Sequence, residues 1–496
     1  MKKIMTLVLA AGLLACAQSA QAIDFKAKGQ WLMGFSLGQG SFLRGVAGQR
    51  VDHADKFSAS QRVRLQMDAV ASEYLSGTVY FEIGDQTWGR ADQGGALGAD
   101  GKVVEVKNAY IDWTIPETDW KVRMGIQNVA LPSAAGGSAV MDDDAAGVIV
   151  HGPVTENFGL LAAWVRPLND NYVGVTDHRN DKTNYLDNVD IFALAAPIHY
   201  DGIDVTPWVS LVLLGQNAMR TGGTASFLSN YGGDRWNHGA GTGEWGRGKA
   251  NTVSFWAGLP VKLTLWDPLN VEFDFNYGYT QSQGRGWVER NDGVQKRYNT
   301  RREGWLAKAL VEYKMDWGVP GIFGWYASGD DSNPKNGSER MPVQSPMGNM
   351  TSFMGDGNFG WSSHDLLYDR NISYTGTWGV GLQIRDMSFL EDLTHTFRVA
   401  LWGGTNSPKM AKYASSSHAW DIYDTGEPEL YLTKTDYLLE FNLVNSYKMY
   451  ENFEINFELG YVVNMVDHDT WKGATGRGAY TKQDAWKAQL IFAYSF

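Results

Sequence analysis

The sequence predicts an all-β fold, a single transmembrane antiparallel β-barrel of about eighteen strands. Three observations support this prediction. Segments in which apolar and polar residues alternate recur along the chain, the connections between them are short and long by turns, and the chain ends on a strand with one apolar face. Because successive side chains of a strand point to opposite faces, this alternation places one face in lipid and the other in a polar interior.

The closing segment, residues 486–496, reads WKAQLIFAYSF. One parity carries Trp486, Ala488, Leu490, Phe492, Tyr494 and Phe496. A membrane barrel needs such a strand, because its last strand pairs with its first and faces lipid. The alternative is an edge strand of a soluble sandwich, but such edges are normally blunted by charge or proline. The ending resembles the closing strand of Gram-negative outer-membrane proteins, which implies that the barrel-assembly machinery reads Leu490, Phe492, Tyr494 and Phe496.

Residues 1–22 are predicted to be a secretory signal peptide. Lys2 and Lys3 precede an apolar run over 4–14, and Ala20-Gln21-Ala22 is a small-residue cleavage site. The run is too short to span a membrane. The alternative is lipidation of Cys16, because residues 13–16 resemble a lipobox. Cys16 is the only cysteine, so cleavage after residue 22 leaves a barrel domain, 23–496, without disulfides or cysteine metal ligands.

Composition narrows the class of protein. The net charge of −12 becomes −14 once Lys2 and Lys3 are removed with the signal peptide, which argues against nucleic acid as a partner. The chain contains 57 Gly, 20 Trp, 23 Tyr and 21 Phe, a composition that suits many strands with aromatic girdles. Beyond the signal peptide we find no apolar stretch long enough for a membrane helix.

Alternating segments follow one another along the rest of the chain. They cover 31–37, 61–70, 74–83, 103–113, 120–127, 148–151, 158–165, 189–200, 205–214, 252–266, 271–280, 305–315, 322–327, 375–385, 396–402, 431–444, 453–463 and 486–496. Sixteen strands are the alternative, because 148–151 and 322–327 are short. The layout is typical of outer-membrane barrels, with short periplasmic turns and long extracellular loops, and an even count puts both termini on the periplasmic side.

The alternation also assigns faces. Val271, Phe273 and Phe275 should face lipid, as should Phe457 and Met124. Charged residues of the other parity form a basic early wall and an acidic late wall, which are Arg62, Arg64, Lys121 and Arg123, and Glu272, Asp274, Glu440, Glu454 and Glu458. Because a charge that faces lipid at mid-bilayer costs about 2–4 kcal/mol, these side chains require a wet lumen, which sixteen to eighteen strands can enclose.

Two segments, 160–165 and 211–214, are apolar on both faces. A strand with two apolar faces is buried on both, so something must cover its lumen side. The third long connection, predicted over 128–147, contains Met141-Asp142-Asp143-Asp144. We expect this loop to fold into the barrel.

Taken together, the signal peptide, the even strand rhythm, the third-loop acids and the terminal Phe496 resemble a Gram-negative trimeric porin. The Trp- and Gly-rich texture most resembles the outer-membrane homotrimeric porins of sulfate-reducing bacteria. The resemblance implies a homotrimer that passes small hydrophilic solutes and ions by passive diffusion, with Asp142, Asp143 and Asp144 at a pore constriction opposite the basic wall. The alternative for these aspartates is a solvated loop tip or a surface site for a divalent ion.

Other functions are less well supported by the sequence. It contains no HExxH, GxSxG or P-loop motif, so we expect neither enzyme activity nor a cofactor. The segment 329–333 lacks the full spacing of a calcium loop and is expected to be a turn. A substrate-selective channel, a hydrolase using Ser416, Ser417 and His418, and a non-conducting adhesin remain alternatives. Outer-membrane lipid and lipopolysaccharide are the remaining expected partners.

Overall fold

The computed structural model describes residues 23–39, 43–44, 56–92, 94–98, 104–169, 188–215, 251–281, 285–289, 294–299, 301–345, 350–351, 357–361, 374–413, 431–472 and 481–496. The predicted signal peptide, including Cys16, lies outside these residues, and so do Ser416, Ser417 and His418. Within the described residues, no helix is both long enough and apolar enough to cross a membrane.

Eighteen antiparallel strands form one closed sheet. They are β1 (Asp24–Gln39), β2 (Lys56–Ser72), β3 (Leu75–Thr87), β4 (Val104–Thr114), β5 (Lys121–Ala130), β6 (Asp142–Pro153), β7 (Gly159–Asn169), β8 (Asn188–Ala195 and Ile198–Tyr200), β9 (Ile203–Val205 and Trp208–Gly215), β10 (Asn251–Leu263), β11 (Leu269–Thr280), β12 (Arg302–Tyr313), β13 (Val319–Ala327), β14 (Thr377–Leu390), β15 (Leu393–Gly404), β16 (Tyr437–Tyr450), β17 (Phe453–Met465) and β18 (Ala485–Ser495). β8 and β9 are each interrupted beside a proline, Pro197 and Pro207, because proline cannot donate to the ladder.

Pairing of β1 with β18 closes the barrel. The register runs from Gln30 opposite Ser495 to Gln39 opposite Trp486. At the end of the chain Gly29 and Phe496 exchange both backbone hydrogen bonds, at 2.9 and 3.0 Å. A Cβ at Gly29 would lie 2.6 Å from the Phe496 ring, so glycine lets the terminal aromatic approach the first strand.

Connections at one end of the barrel are short, and those at the other end are long. The short turns are 73–74, 115–120, 154–158, 201–202, 264–268, 314–318, 391–392 and 451–452. Two long connections matter for the interior. We name them L3 (131–141, between β5 and β6) and L7 (328–376, between β13 and β14), of which L7 is described over 328–345, 350–351, 357–361 and 374–376.

The predicted faces are confirmed. Phe273, Phe275, Phe457 and Met124 are among the exposed apolar side chains of the outer wall. Residues directly opposite each other on paired strands share a face, so the register places Asp274 and Lys308 together inside the barrel. The main apolar cluster also lies inside, where it joins inward side chains of β7–β9 to L3 and L7.

Eighteen strands are confirmed and the sixteen-strand alternative is wrong. The two short segments are parts of longer strands, β6 and β13. The predicted loop over 128–147 is too long, because β5 continues to Ala130 and β6 begins at Asp142. Asp142, Asp143 and Asp144 therefore lie on a strand. Aspartate is uncommon in β-strands, but here hydrogen bonding to β5 outweighs that preference.

Candidate functional site: the barrel lumen

Inward-facing ion pairs line the lumen. Arg123 donates to both carboxylate oxygens of Asp112, at 2.7 and 2.8 Å, across β4 and β5. Arg64 pairs with Glu82 at 2.5 Å. The side chains of Arg123 and Asp112 are 40% and 37% exposed, which indicates charged groups in contact with water inside the barrel.

The opposite wall carries similar inward pairs. Lys262 lies 3.2 Å from Glu272, and Arg385 contacts Glu312 at 2.5 Å. In each pair the basic side chain is the more exposed member, at 45% for Lys262 and 39% for Arg385. In each of these four pairs a cation lies against a carboxylate, so the pairs themselves carry no net charge.

L3 folds into the barrel and is held by Asp274 of β11. The carboxylate of Asp274 accepts hydrogen bonds from the backbone N–H groups of Ala134 and Ala135, at 3.0 and 2.6 Å. The hydroxyl of Ser133 donates to the same carboxylate at 3.3 Å. Asp274 is only 1% exposed, so the loop backbone replaces the water that this charge has lost.

Lys308 of β12 completes this anchor. Its ammonium donates to the carbonyl oxygens of Ala135 and Gly137, the latter at 2.6 Å, and lies 3.7 Å from Asp274. Both side chains are buried. Asp274 thus binds backbone N–H groups of L3, and Lys308 binds backbone carbonyl groups of the same loop.

L3 covers the apolar inner face of β7–β9. Val140 and Met141 of the loop belong to the same buried cluster as Val165, Ile191 and Val212. The indole N–H of Trp208, on β9, donates to the carbonyl of Pro132 at 2.9 Å. The prediction that an infolded third loop would cover these strands is confirmed.

The first part of L7 also enters the barrel, which the sequence analysis missed. Gln344 donates to Ser210 of β9 at 3.1 Å, and the indole of Trp256 donates to Pro342. The backbone N–H groups of Gln344 and Ser345 both donate to Val140. L7 therefore packs directly against L3 inside the barrel.

Arg340 holds this part of L7 to the strand ends. Its guanidinium donates to the Thr375 carbonyl at 3.0 Å and lies over the Tyr431 ring, 5.2 Å from the centroid. Burial lowers the pKa of Arg340, and the charge of Asp330 opposes that shift. The Asp330 carboxylate accepts from Ser338 and Tyr431. Within the segment 329–333, where a turn is expected, the Asn333 N–H donates to the Asp331 side chain at 2.6 Å, a local hydrogen bond that is typical of a turn.

A second described part of L7, Gly357–Trp361, lies against the early wall. The Trp361 indole donates to Asp85 at 2.7 Å, and the Arg62 guanidinium lies 5.5 Å from the Trp361 ring centroid. On the other side Asn358 donates its N–H to Glu458 at 3.3 Å. This segment connects the first strands of the barrel to β17.

All five predicted acidic wall residues point inward, but four are buried rather than open to the lumen, namely Glu272, Asp274, Glu440 and Glu458. Glu440 accepts from the Trp402 indole at 3.0 Å. Glu458 lies 3.7 Å from Lys487, and Glu454 accepts from Ser446. Their effect on ion selectivity therefore remains a prediction.

The four residues of the predicted basic wall also differ in their exposure to the lumen. Arg64 and Arg123 are partly exposed and ion-paired, whereas Arg62 is buried beneath Trp361. Lys121 is exposed and lies opposite His151 at the end of the lumen nearest the short turns. The structure therefore brings only part of the predicted basic wall to the open lumen.

The three aspartates of β6 alternate in direction. Asp143 faces inward and accepts a hydrogen bond from the Ser345 hydroxyl of L7, at 2.8 Å. Asp142 and Asp144 face outward, opposite Ala130 and Asn128. Of the three, only Asp143 is directed toward the inserted loops, and its role at a constriction remains a prediction.

Sequence reasoning missed the partners of the wall charges. Asp112, Glu82, Lys308, Lys487 and Arg385 were not identified as lumen residues. Alternation could have identified all of them, because each one has the same parity as the inward-facing residues of its own strand. The hydrogen-bonded partners in L3 and L7 had no comparable signal.

Comparison with known proteins adds a set of structural likenesses. OpdL of Pseudomonas aeruginosa is similar with a TM-score of 0.49 and 11% identity over 95% of this chain and 99% of its own. The outer membrane protein OpdK of the same organism gives 0.49 and 8%, over 95% and 98%. OccK2 (OpdF), solved in complex with glucuronate, gives 0.49 and 11%, over 95% and 98%. The sequence matches no protein-family model, and no curated protein matches it.

The part of the chain that the structure describes contains no group of three or more His, Cys, Asp or Glu side chains placed to hold a metal ion.

Proposed function

We propose that this protein is an outer-membrane porin, a water-filled channel through which small hydrophilic solutes and ions diffuse passively. The observation that carries the proposal is the closed eighteen-strand barrel with an apolar outer wall and partly exposed ion pairs on its inner wall. Barrels of this kind span outer membranes. Exposed inward charges require water, and a continuous column of water conducts.

L3 supports a constriction within this channel. Its backbone is fixed on both sides, to Asp274 and to Lys308, so it narrows the lumen as a rigid element. A rigid constriction makes passage depend on solute size. Asp143 and the exposed pairs, such as Arg123–Asp112, supply the fixed charges that select among ions.

A substrate-selective channel is the second candidate, and L7 favours it. L7 packs against L3 inside the barrel, so two loops and not one bound the passage. The Tyr110 ring lies 4.1 Å from the Arg123 guanidinium on the inner wall, which adds an aromatic surface to the charged one. Such a wall would distinguish solutes by shape as well as size.

Swelling of proteoliposomes in isosmotic solutions of neutral sugars separates the two candidates. General diffusion predicts swelling rates that fall smoothly with solute size. A selective channel predicts that solutes of equal size swell the vesicles at different rates. Vesicles that do not swell with any of the small sugars would contradict both.

We further propose that the chain assembles as a homotrimer in the outer membrane, in contact with lipid and lipopolysaccharide, after export by residues 1–22 and recognition of the closing strand by the barrel-assembly machinery. Packing of barrels would stiffen a wall that encloses two loops. Unboiled protein should migrate at about three times the monomer mass. A monomer by light scattering in mild detergent would contradict the trimer without affecting the channel.

A further inference from the structure

The segment 357–361 of L7 places an aromatic ring in a niche of the lumenal wall. Leu32 of β1 and Ile491 and Ala493 of β18 form the apolar floor of this niche, and they are buried together with Trp361. The register brings the floor together, because Leu32 lies opposite Ala493 on the paired strands. Trp361 is itself only 3% exposed, so the niche has the size of one indole ring.

Two charged side chains complete the niche. Asp85 accepts a hydrogen bond from the indole N–H at 2.7 Å, and the Arg62 guanidinium lies 5.5 Å from the ring centroid, within the range of a cation–π contact. The Asp85 side chain is 52% exposed, so its carboxylate also faces the lumen. The charges of Arg62 and Asp85 cancel, as do those of the neighbouring pair Arg64–Glu82. The niche therefore favours an uncharged ring.

Trp361 does not satisfy every polar group of the niche. Arg62 is only 5% exposed, yet its Nε and Nη2 atoms have no hydrogen-bond partner among the described residues. The Asp85 carboxylate lies 3.9 Å from Nε, beyond hydrogen-bonding distance. Buried donors without acceptors are destabilising. A ring that brought an acceptor to these two N–H groups would remove that penalty, which Trp361 cannot do.

The backbone around Trp361 is held by long hydrogen bonds. The Asn358 N–H donates to Glu458, and the Gln489 side chain donates to the Trp361 carbonyl, each at 3.3 Å. These distances exceed the usual value of about 2.9–3.0 Å. The strong contact of the segment is the one from the indole to Asp85, and an incoming N–H group replaces that contact in kind. Trp361 can therefore exchange with a ligand.

We propose that this niche binds an uncharged, planar heteroaromatic solute that carries an N–H donor and a carbonyl acceptor, and that Trp361 occupies it as an intramolecular competitor. The ring of the ligand rests on the apolar floor, its N–H donates to Asp85, and its carbonyl accepts from the two N–H groups of Arg62. The inference rests on the proposed function, because such a solute reaches the niche through a water-filled lumen.

Isothermal titration calorimetry of the purified mature protein in detergent, with 2-oxindole as the ligand, tests the proposal. We expect 2-oxindole to bind. The matched ligand 1-methyl-2-oxindole keeps the ring and the carbonyl but lacks the N–H, so it should bind about tenfold more weakly or less, because a hydrogen bond to a charged group is lost. Indole keeps the N–H but lacks the carbonyl, and it should also bind more weakly than 2-oxindole.

Two variants test the competition. Trp361→Ala should bind 2-oxindole about tenfold more tightly than the wild type, because the niche is then always free. Trp378→Ala removes the same ring beside the exposed Tyr437 on the outer wall and should bind like the wild type. Asp85→Ala, added to Trp361→Ala, should weaken binding again.

Three results would overturn the proposal. The first is unchanged or weaker binding in Trp361→Ala, which would make Trp361 a packing residue of the wall. The second is equal binding of 2-oxindole and its 1-methyl derivative to the unchanged protein, a comparison that does not depend on how any variant folds. The third is an absence of binding in both the wild type and Trp361→Ala. Calorimetry needs no ion flow, so protein that conducts but does not bind contradicts only the niche, and protein that binds but does not conduct contradicts only the channel.

Discussion

Buried charges in this barrel hold backbone rather than form open pore walls. Asp274 and Lys308 have exchanged water for the N–H and carbonyl groups of L3. Glu458 similarly accepts from Asn358 of L7 while facing Lys487. A buried charge that loses its partner is strongly destabilising. The position of L3 therefore depends on the Asp274 carboxylate, and the position of the L7 segment depends on the Glu458 carboxylate.

Asp274→Asn should loosen L3. The amide cannot accept as strongly from Ala134 and Ala135, and Lys308 remains buried without its counter-ion, a change worth up to about 3–5 kcal/mol. We expect a larger and noisier single-channel conductance and a lower temperature of heat unfolding on gels. Asp392→Asn, in the exposed turn between β14 and β15, is the control. Equal behaviour of the two variants would argue against the anchor.

Lys308→Met added to Asp274→Asn tests the pairing itself. Removal of the second charge eliminates the unpaired ammonium, so part of the lost stability should return, because the two residues are in direct contact. Additive losses in the double variant, measured by heat unfolding, would show that the charges act independently.

Asp143 and Asp142 are adjacent in sequence but lie on opposite sides of the wall, which makes them a matched pair. Asp143→Asn should move the reversal potential toward anions, because a fixed charge near the inserted loops is removed. Asp142→Asn should leave it unchanged. The difference should shrink at 1 M salt, where the Debye length is about 3 Å. Equal shifts in the two variants would contradict the inward placement of Asp143.

At the scale of elements, aromatic contacts of the C-terminal residue help to join the first and last strands. Phe496 lies 5.5 Å from the Trp31 ring centroid and 6.0 Å from that of Tyr494. Phe496→Ala should slow closure of the barrel and lower the yield of heat-modifiable protein. Phe389→Ala, on an outer position that is 72% exposed, removes the same ring away from the β1–β18 pair and should fold normally. A normal yield for both would exclude a role for the terminal ring.

L7 is the second element whose position can be tested. Trp361→Ala removes the indole that donates to Asp85 and covers Arg62. The Gly357–Trp361 segment should then leave the early wall, which exposes Arg62 to water and increases conductance. Trp378→Ala on the outer wall of β14 is the control. If conductance is equal in the two variants, this segment does not narrow the passage.

The strands could be predicted because their signal is local. Alternation depends on each segment alone, and the pattern from Val271 to Tyr279 correctly predicts that Asp274 faces inward. The path of L7 could not be predicted, because its contacts join residues far apart in sequence, such as Ser210 and Gln344. Asp142 to Asp144 show the same limit: their loop-like composition was outweighed by pairing with β5, which local sequence does not contain.

At the scale of the whole molecule, the barrel has an apolar exterior, a charged interior and two loops inside. Charge balance among pairs such as Arg123–Asp112 and Arg385–Glu312 means that selectivity should be modest. The excess of carboxylates over the chain as a whole gives the preference its sign, so we expect weak selectivity for cations that fades at high salt.

Conductance of the purified protein in a planar bilayer tests the central claim most directly. A water-filled channel predicts discrete, stepwise increases in current with a linear current–voltage relation, and a reversal potential in a salt gradient that weakly favours cations. Protein that inserts into the bilayer, as shown by protease protection, but produces no current steps would contradict the account.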